Sequence, residues 1–257
     1  ISVHLVSYFL YERIMKSIVK FFLSKISRVI FYLYLIKHYV TPIEFKKKFK
    51  KLEAKLDDNL AEETFSHFKE DLKKSLLFND MWKIREYAIK TSLLNDENKE
   101  YYYLEFGVFK GASANFFSKY VNKLYCFDSF EGLKEDWVGI SLPKGHFNLN
   151  KKVPKLKSNV EPVMGWVEDT LEEFLKKHNP KINFVHLDMD TYSPTKFTIE
   201  KLKPYLVKDA IILFDQLYNY IGWENGEYKA LKEVLKENEF EYKGFRVNST
   251  QAVIQIK

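Results

Sequence analysis

Carboxylates stand at the ends of apolar runs in this chain. Glu105 follows Tyr101–Leu104, and Asp128, Asp188 and Asp215 close Tyr125–Asp128, Ile182–Asp188 and Ala210–Asp215. Asp190 lies two residues beyond Asp188, and Gln216 follows Asp215. Two chemistries suit such a set. Asp188, Asp190 and Asp215, with the amide oxygen of Gln216, are hard oxygen ligands of the kind Mg²⁺ or Ca²⁺ takes. A metal there would bind and acidify a substrate hydroxyl. The alternative is Asp188 alone as a general base, with Asp215 a strand-end cap. Glu105 and Asp128 suit a different ligand. Glu105 precedes the turn Gly107-Val-Phe-Lys-Gly111, where two glycines let a ligand approach the backbone. An acid there repels a pyrophosphate and attracts an amino group or a sulfonium. Phe109 also departs from the dinucleotide pattern G-x-G-x-x-G. Asp128 can accept both hydroxyls of a ribose or cap the following segment.

These acids need elements that bring them together. Strands are expected at 101–106, 123–128, 160–164, 182–188, 209–215, 240–246 and 251–256, and helices at 112–121, 168–178, 194–205 and 226–237. Alternation at this spacing predicts a parallel sheet, whose strands end on one edge where ligands bind. The short turn Val247–Thr250 makes the last two strands an antiparallel hairpin. The expected fold is therefore α/β and Rossmann-like: seven strands, five parallel plus a C-terminal antiparallel hairpin, behind an N-terminal helical extension. After the third strand, Trp166 could stack on an adenine, while Asp169 or Thr170 caps a helix. The glycine- and proline-containing stretch 129–159 reads as a long irregular loop, functional or mobile. In it, His146 is a candidate substrate contact. Tyr192, Tyr218, Tyr220 and Trp223 are candidates for an acceptor pocket. His186, inside an apolar run, reads as a core histidine.

The domain division expected is a helical extension, 1–94, and a sheet domain, 95–257. Residues 1–40 read as a helix or helical hairpin. Arg13, Lys16, Ser17, Lys20, Ser24, Ser27 and Arg28 share one side, and Ile14, Ile18, Phe22, Ile26, Val29 and Ile30 populate the remainder. Such a helix suits a membrane surface or packing on the sheet domain or a second subunit. Thr41-Pro42 ends it. Amphipathic helices follow at 43–75, with Phe45, Phe49, Leu52, Leu56 and Leu60 on one stripe, and at 79–92, with Met81, Ile84, Tyr87 and Ala88. Asn95–Lys99 is a polar turn.

Composition bounds the rest. The 257 residues are 46% hydrophobic and 30% charged, with a net charge of +6 concentrated in the N-terminal third. No nucleic-acid partner is expected; the basic excess reads as a solvated face or a contact with an acidic surface. Val29–Ile36 is too short an apolar run to span a bilayer. The single cysteine, Cys126, precludes an intrachain disulfide and suggests a reducing compartment. The expected location is cytoplasmic or at the inner membrane surface.

Five segments in order carry a resemblance: LEFGVFKGASANFF, CFDSFEGL, GWVEDTL, HLDMDTYSPT and LFDQLYNYIGWENGEYKAL. Together they resemble class I S-adenosylmethionine-dependent methyltransferases, and within them the macrocin O-methyltransferase-like family, over residues 95–257. The resemblance implies a methyltransferase that methylates a hydroxyl of a sugar, glycan or small natural product. It implies that Glu105, Gly107, Gly111 and Ser113 hold the methionine end of S-adenosylmethionine. Asp128 would take the ribose, with Ser129 and Phe130 beside it. Trp166 and Val167 would flank the adenine, and Asp188 would serve both the cofactor and catalysis. Asp188, Asp215 and Gln216 would hold Mg²⁺, although the family has a carboxylate where Gln216 stands. Two other functions fit parts of the sequence. Asp188-Met-Asp190 is the D-x-D of metal-dependent nucleotide-sugar glycosyltransferases, and the basic N-terminal helix suits a non-catalytic scaffold on a membrane or in a homo-oligomer.

Overall fold

The structure, a computed structural model, describes residues 3–35, 51–96 and 100–257. The expectations for residues 36–40, Thr41-Pro42, Phe45, Phe49 and Glu97–Lys99 lie outside the described residues. The chain divides into two compact units, Ile1–Asp58 and Asn59–Lys257. Helices α1 (Val3–Leu35) and α2 (Lys51–Lys74) come first.

The second unit is built on one eight-stranded sheet. Its strands are β1 (Leu76–Phe78), β2 (Tyr102–Phe106), β3 (Leu124–Asp128), β4 (Val160–Met164), β5 (Ile182–Leu187), β6 (Leu206–Phe214), β7 (Phe240–Arg246) and β8 (Ala252–Ile256). Their order is β1-β7-β8-β6-β5-β2-β3-β4. Every neighbouring pair is parallel except those of β8, which runs antiparallel to both β6 and β7. The parallel core and C-terminal hairpin are those expected from sequence. The difference is β1, an eighth strand in the short gap between the helices expected at 43–75 and 79–92. Three residues between two helices leave no room for an alternating pattern to show. The unit containing the sheet spans Asn59–Lys257.

Helices cover both faces. On one lie α3 (Met81–Ser92) and the six-residue α4 (Ala112–Phe117). On the other lie α5 (Val167–His178), α6 (Tyr192–Leu202) and α7 (Glu227–Val234). Strand alternation sorts the core between them. Leu104, Phe106, Val185, Leu187, Ile212 and Phe214 pack with α5, α6 and α7. Tyr103, Cys126, Phe184, Ile211 and Leu213 pack with α3 and α4. Every residue of β5 is buried, as a strand covered on both faces requires.

Local signals fix these helices. In α5, Val167, Leu171, Phe174 and Leu175 are buried at helical spacing, with Glu168 and Asp169 in the first turn and Lys176, Lys177 and His178 in the last. In α3, Asp80 caps the N-terminus, accepting from the backbone N–H groups of Trp82 and Lys83. Its buried stripe includes Arg85 with Ala88, Ile89 and Ser92. One guanidinium is thereby carried under the sheet edge.

Candidate active site

The turn after β2 is set by contact with β5. Gly107 has φ +85°, and a Cβ built there would stand 1.8 Å from the Asp188 carbonyl oxygen. Only glycine tolerates both conditions. Asp188 N–H in turn donates to the Phe106 carbonyl at 2.9 Å. Asp128, at the end of β3, clasps the same turn. Its Oδ2 accepts from the N–H groups of Val108 (2.8 Å) and Phe109 (2.9 Å), and its Oδ1 from that of Phe130 (2.7 Å). The two turn amides that a phosphate would seek are therefore already occupied by a carboxylate.

These elements border a cavity of about 250 Å³ at the carboxyl edge of the sheet. Gly107, Asp128, Ser129, Trp166 and Val167 line it, together with Asp188, Asp190 and Gln216. The long loop supplies the remaining wall through Lys134, Trp137 and Phe147. Backbone bonds close that loop on itself: Leu133 N–H donates to the His146 carbonyl, and Trp137 N–H to that of Leu142. Lys134 Nζ lies 5.4 Å from the centre of the Trp166 ring and 3.0 Å from Glu168 Oε1, so loop and helix meet across the mouth.

Several expected residues stand back from the cavity. Glu105 is wholly buried, because alternation along β2 turns it toward α3 and α4 while Leu104 and Phe106 face the opposite helices. Its Oε1 meets His186 Nδ1 at 2.9 Å and its Oε2 meets Cys126 Sγ at 3.3 Å. The cation it attracts in this structure is His186 of the protein itself. Gly111 (φ +76°) caps α4, and Ser113 is buried within that helix; neither lines the cavity. The Phe130 ring is in the core, and only its N–H reaches Asp128. Asp215 lies behind Gln216. Tyr218, Tyr220 and Trp223 are core residues, Tyr192 bonds Glu233, and His146 packs edge-on to Phe147. The rings of Tyr218, Tyr220 and Trp223, after strand six, thus fill the interior, while Tyr192 stays half-buried.

Beneath the acids runs a buried charge network that the sequence did not announce. His186 Nε2 lies 3.3 Å from Asp215 Oδ1, so both ring nitrogens face carboxylates. An imidazole with two acceptor neighbours donates from both nitrogens and is cationic. Burial alone would lower its pKa; the bonds to Asp215 and Glu105 outweigh this and raise it to about 9. Arg85 Nη2 donates to Asp215 Oδ1 at 2.7 Å and stands 4.0 Å from Asp188 Oδ2. Gln251, just before β8, also donates to Asp215 Oδ1. Burial by itself would raise the Asp215 carboxyl, but His186 and Arg85 hold it well below the usual range. Asp188 is one quarter exposed at the cavity. Desolvation, then the charge of Asp215, raises it to about 7. Asp190 has φ +67°, and burial followed by the charge of Asp188 pushes its pKa well up. A strained, desolvated carboxylate facing a cavity is characteristic of working sites.

The front of this network gathers oxygen-bearing side chains of the kind a hard cation takes. Gln216 Nε2 donates to Asp188 Oδ1 at 3.2 Å and to Asp215 Oδ2 at 3.1 Å, so a cation held by both carboxylates and the Gln216 amide oxygen requires that amide to turn over. Gln216 Oε1 is buried with no hydrogen-bond partner. Two carboxylates and one amide oxygen form a set that Mg²⁺ takes with water. His186 also lies within reach of Asp188 and Asp215, but both its nitrogens are engaged as donors.

The missed residues had weak signals. Arg85 belongs to a stripe otherwise made of Ala88, Ile89 and Ser92, which marks it as buried. Glu227 opens α7 and is fully buried, with Oε2 accepting from the Gln216 N–H at 3.1 Å. Burial, above all, pushes the Glu227 carboxyl well up.

Residues 104–217 match the family model described as a methyltransferase domain. Among solved structures the fold is similar to that of CalS11, a calicheamicin methyltransferase, with TM-score 0.56 and 21% identity over 69% of this chain and 80% of that one. It is also similar to an apo structure of CalS11, there described as a TDP-rhamnose 3'-O-methyltransferase, with TM-score 0.51 and 21% identity over 68% of this chain and 77% of that one. At this identity the likeness is one of fold. No curated protein matches the chain.

Proposed function

We propose, from the premise that residues 104–217 carry a class I S-adenosylmethionine-dependent methyltransferase domain, that this enzyme transfers the methyl group to a hydroxyl oxygen of a sugar, a glycan or another small natural-product acceptor. The observation that carries this reading is the set of residues lining the cavity at the carboxyl edge of the sheet. Gly107, Asp128 and Trp166 line that cavity together with Asp188, Asp190 and Gln216, and Gly107 lies directly against the Asp188 backbone. A donor and an acceptor are thus offered adjoining places.

Trp166 and Val167 would take the adenine, and Asp128 the ribose. A carboxylate offers about four acceptor directions; three meet backbone N–H groups, which leaves one for a ribose hydroxyl. Gly107 lets the methionine end lie against the backbone beside Asp188. Methyl transfer from a sulfonium is an in-line displacement: the acceptor oxygen attacks the methyl carbon, the carbon–sulfur bond breaks, and S-adenosylhomocysteine leaves neutral. The enzyme must align the two partners and remove the hydroxyl proton. Asp188, raised to about 7, takes that proton near neutral pH, with Asp190 as the second carboxylate facing the acceptor. Arg85 and Gln216 hold Asp188 and Asp215 in place. Mg²⁺ would be held by Asp188, Asp215 and the Gln216 amide oxygen, where its charge would acidify the acceptor hydroxyl.

Sugar transfer through the D-x-D is disfavoured. The turn amides that would meet a diphosphate are occupied by Asp128.

The test is calorimetric titration of the full chain with S-adenosylhomocysteine, followed by transfer of labelled methyl to nucleotide-linked deoxysugars and to amines. One-site binding and labelling of a hydroxyl are expected. A folded sample that gives no binding heat overturns the cofactor assignment, and labelling confined to amines overturns the acceptor class. Turnover that survives thorough EDTA treatment assigns deprotonation to Asp188 without metal.

A further inference from the structure

We propose that α1 lies along a lipid bilayer whose surface carries anionic headgroups. The helix has 33 residues, about 50 Å at 1.5 Å per residue. Its described apolar side chains stand open: Met15, Val19, Phe21, Leu23, Ile26 and the run Val29–Tyr34 are 41–64% exposed. A continuous apolar surface on that scale marks a binding face in a water-soluble protein.

Charge and geometry select the occupant. Between Val3 and Leu35 the basic residues are Arg13, Lys16, Lys20, Lys25 and Arg28, against Glu12 alone as an acid. At about 100° per residue, Glu12 and all these basic residues but Lys25 share one arc of about 160° with Ser17, Ser24 and Ser27. Lys25, the exception, folds its Nζ over the Phe21 ring at 4.8 Å, which keeps a cation beside apolar surface as at a membrane interface. Ser24 and Ser27 donate to the carbonyls of Phe21 and Ser24, at 2.8 and 2.9 Å. Leu23 alone of the apolar residues along 12–28 falls within the basic arc; the others lie in the remaining arc of roughly 200°, wider than the seam one partner helix covers. Two copies laid face to face would leave much of it in water, whereas a bilayer surface covers all of it. Past Arg28 the helix is apolar on every side and carries Tyr32 and Tyr34, aromatic residues of the kind found at headgroup depth. No described helix is long and apolar enough to cross a membrane. The helix therefore lies in the interface, its basic arc toward anionic headgroups.

The test is flotation of the full chain with phosphatidylcholine vesicles, with and without phosphatidylserine. Binding is expected with the anionic vesicles, and it should fall steeply at high salt. K20E/K25E/R28E should partition about a hundredfold more weakly, and F21D/I26D/I30D should not float at all. Unchanged S-adenosylhomocysteine binding shows that the sheet unit of each variant remains folded. Failure of the parent chain to float with anionic vesicles overturns the proposal. So does flotation of K20E/K25E/R28E equal to the parent, and so does a dimer in solution that F21D/I26D/I30D dissociates while the parent ignores vesicles.

Discussion

Replacing Arg85 by Met removes a cation lying outside the matched methyltransferase domain but within the charge network of the site. Arg85 is 5% exposed, and its Nη2 contacts Asp215 at 2.7 Å and approaches Asp188 to 4.0 Å. Breaking one side of a buried ion pair costs about 3–5 kcal/mol, because the remaining charge stays desolvated. Here His186 and Gln251 still donate to Asp215, which places the cost near the lower end, about 3 kcal/mol. For a unit of this size that corresponds to a fall of roughly 6–12 °C in melting temperature. Urea unfolding of Arg85→Met, Asp215→Asn and the double variant measures it. The double variant should cost at least about 2 kcal/mol less than the sum of the singles, since the partners share one interaction. Loss of the nearby positive charge also raises the Asp188 carboxyl above about 7. The acid limb of the rate profile in EDTA should then move to higher pH. A cost below about 1 kcal/mol for Arg85→Met, or strictly additive costs, would show that Arg85 does not hold the acids.

Three further predictions rest on the same geometry. Asp188→Asn and Asp190→Asn should each lower kcat by about 10²–10⁴ while S-adenosylhomocysteine affinity, read by calorimetry, changes less than about tenfold; equal losses in both would show binding roles only. Gly107→Ala places a methyl group where the Asp188 carbonyl lies, so cofactor binding should be lost and the melting temperature should fall, and unimpaired binding would contradict the close contact. His186 has a folded-state pKa of about 9 against an ordinary 6.5. Its contribution to stability is complete below about pH 6.5 and disappears as the pH climbs through 9. The parent should therefore melt roughly 5–10 °C lower at pH 9.5 than at pH 6.5, a difference that His186→Asn should flatten.

Periodicity made the sheet legible. Runs such as Ile182–Leu187 and Ala210–Phe214 are apolar on both faces, as strands beneath two helix layers must be, and the gaps between them are helix-sized. The turn at Gly107 and the acids of Asp128, Asp188 and Asp190 followed from position at strand ends. Other features depend on which way a side chain points within the pleat. Glu105 precedes the turn in sequence, yet its odd-numbered place on β2 sends it to His186. Tyr218 and Trp223 follow a strand end, but the chain turns them inward against Phe68 and Phe245. Arg85 reaches the site across 130 residues of sequence, a distance that no local pattern spans.

Strand β8 begins where its neighbours finish, and it occupies the middle of the sheet, between β6 and β7. Its entry delivers Thr250 to the Asp215 carbonyl and Gln251 to the Asp215 carboxylate. During synthesis on the ribosome, every residue that lines the cavity, up to Gln216, is made before this strand. A nascent chain arrested near residue 245 would hold an open gap beside β6 and an Asp215 without those two donors. The buried network around Asp215 is therefore complete only once β8 has slid between β6 and β7.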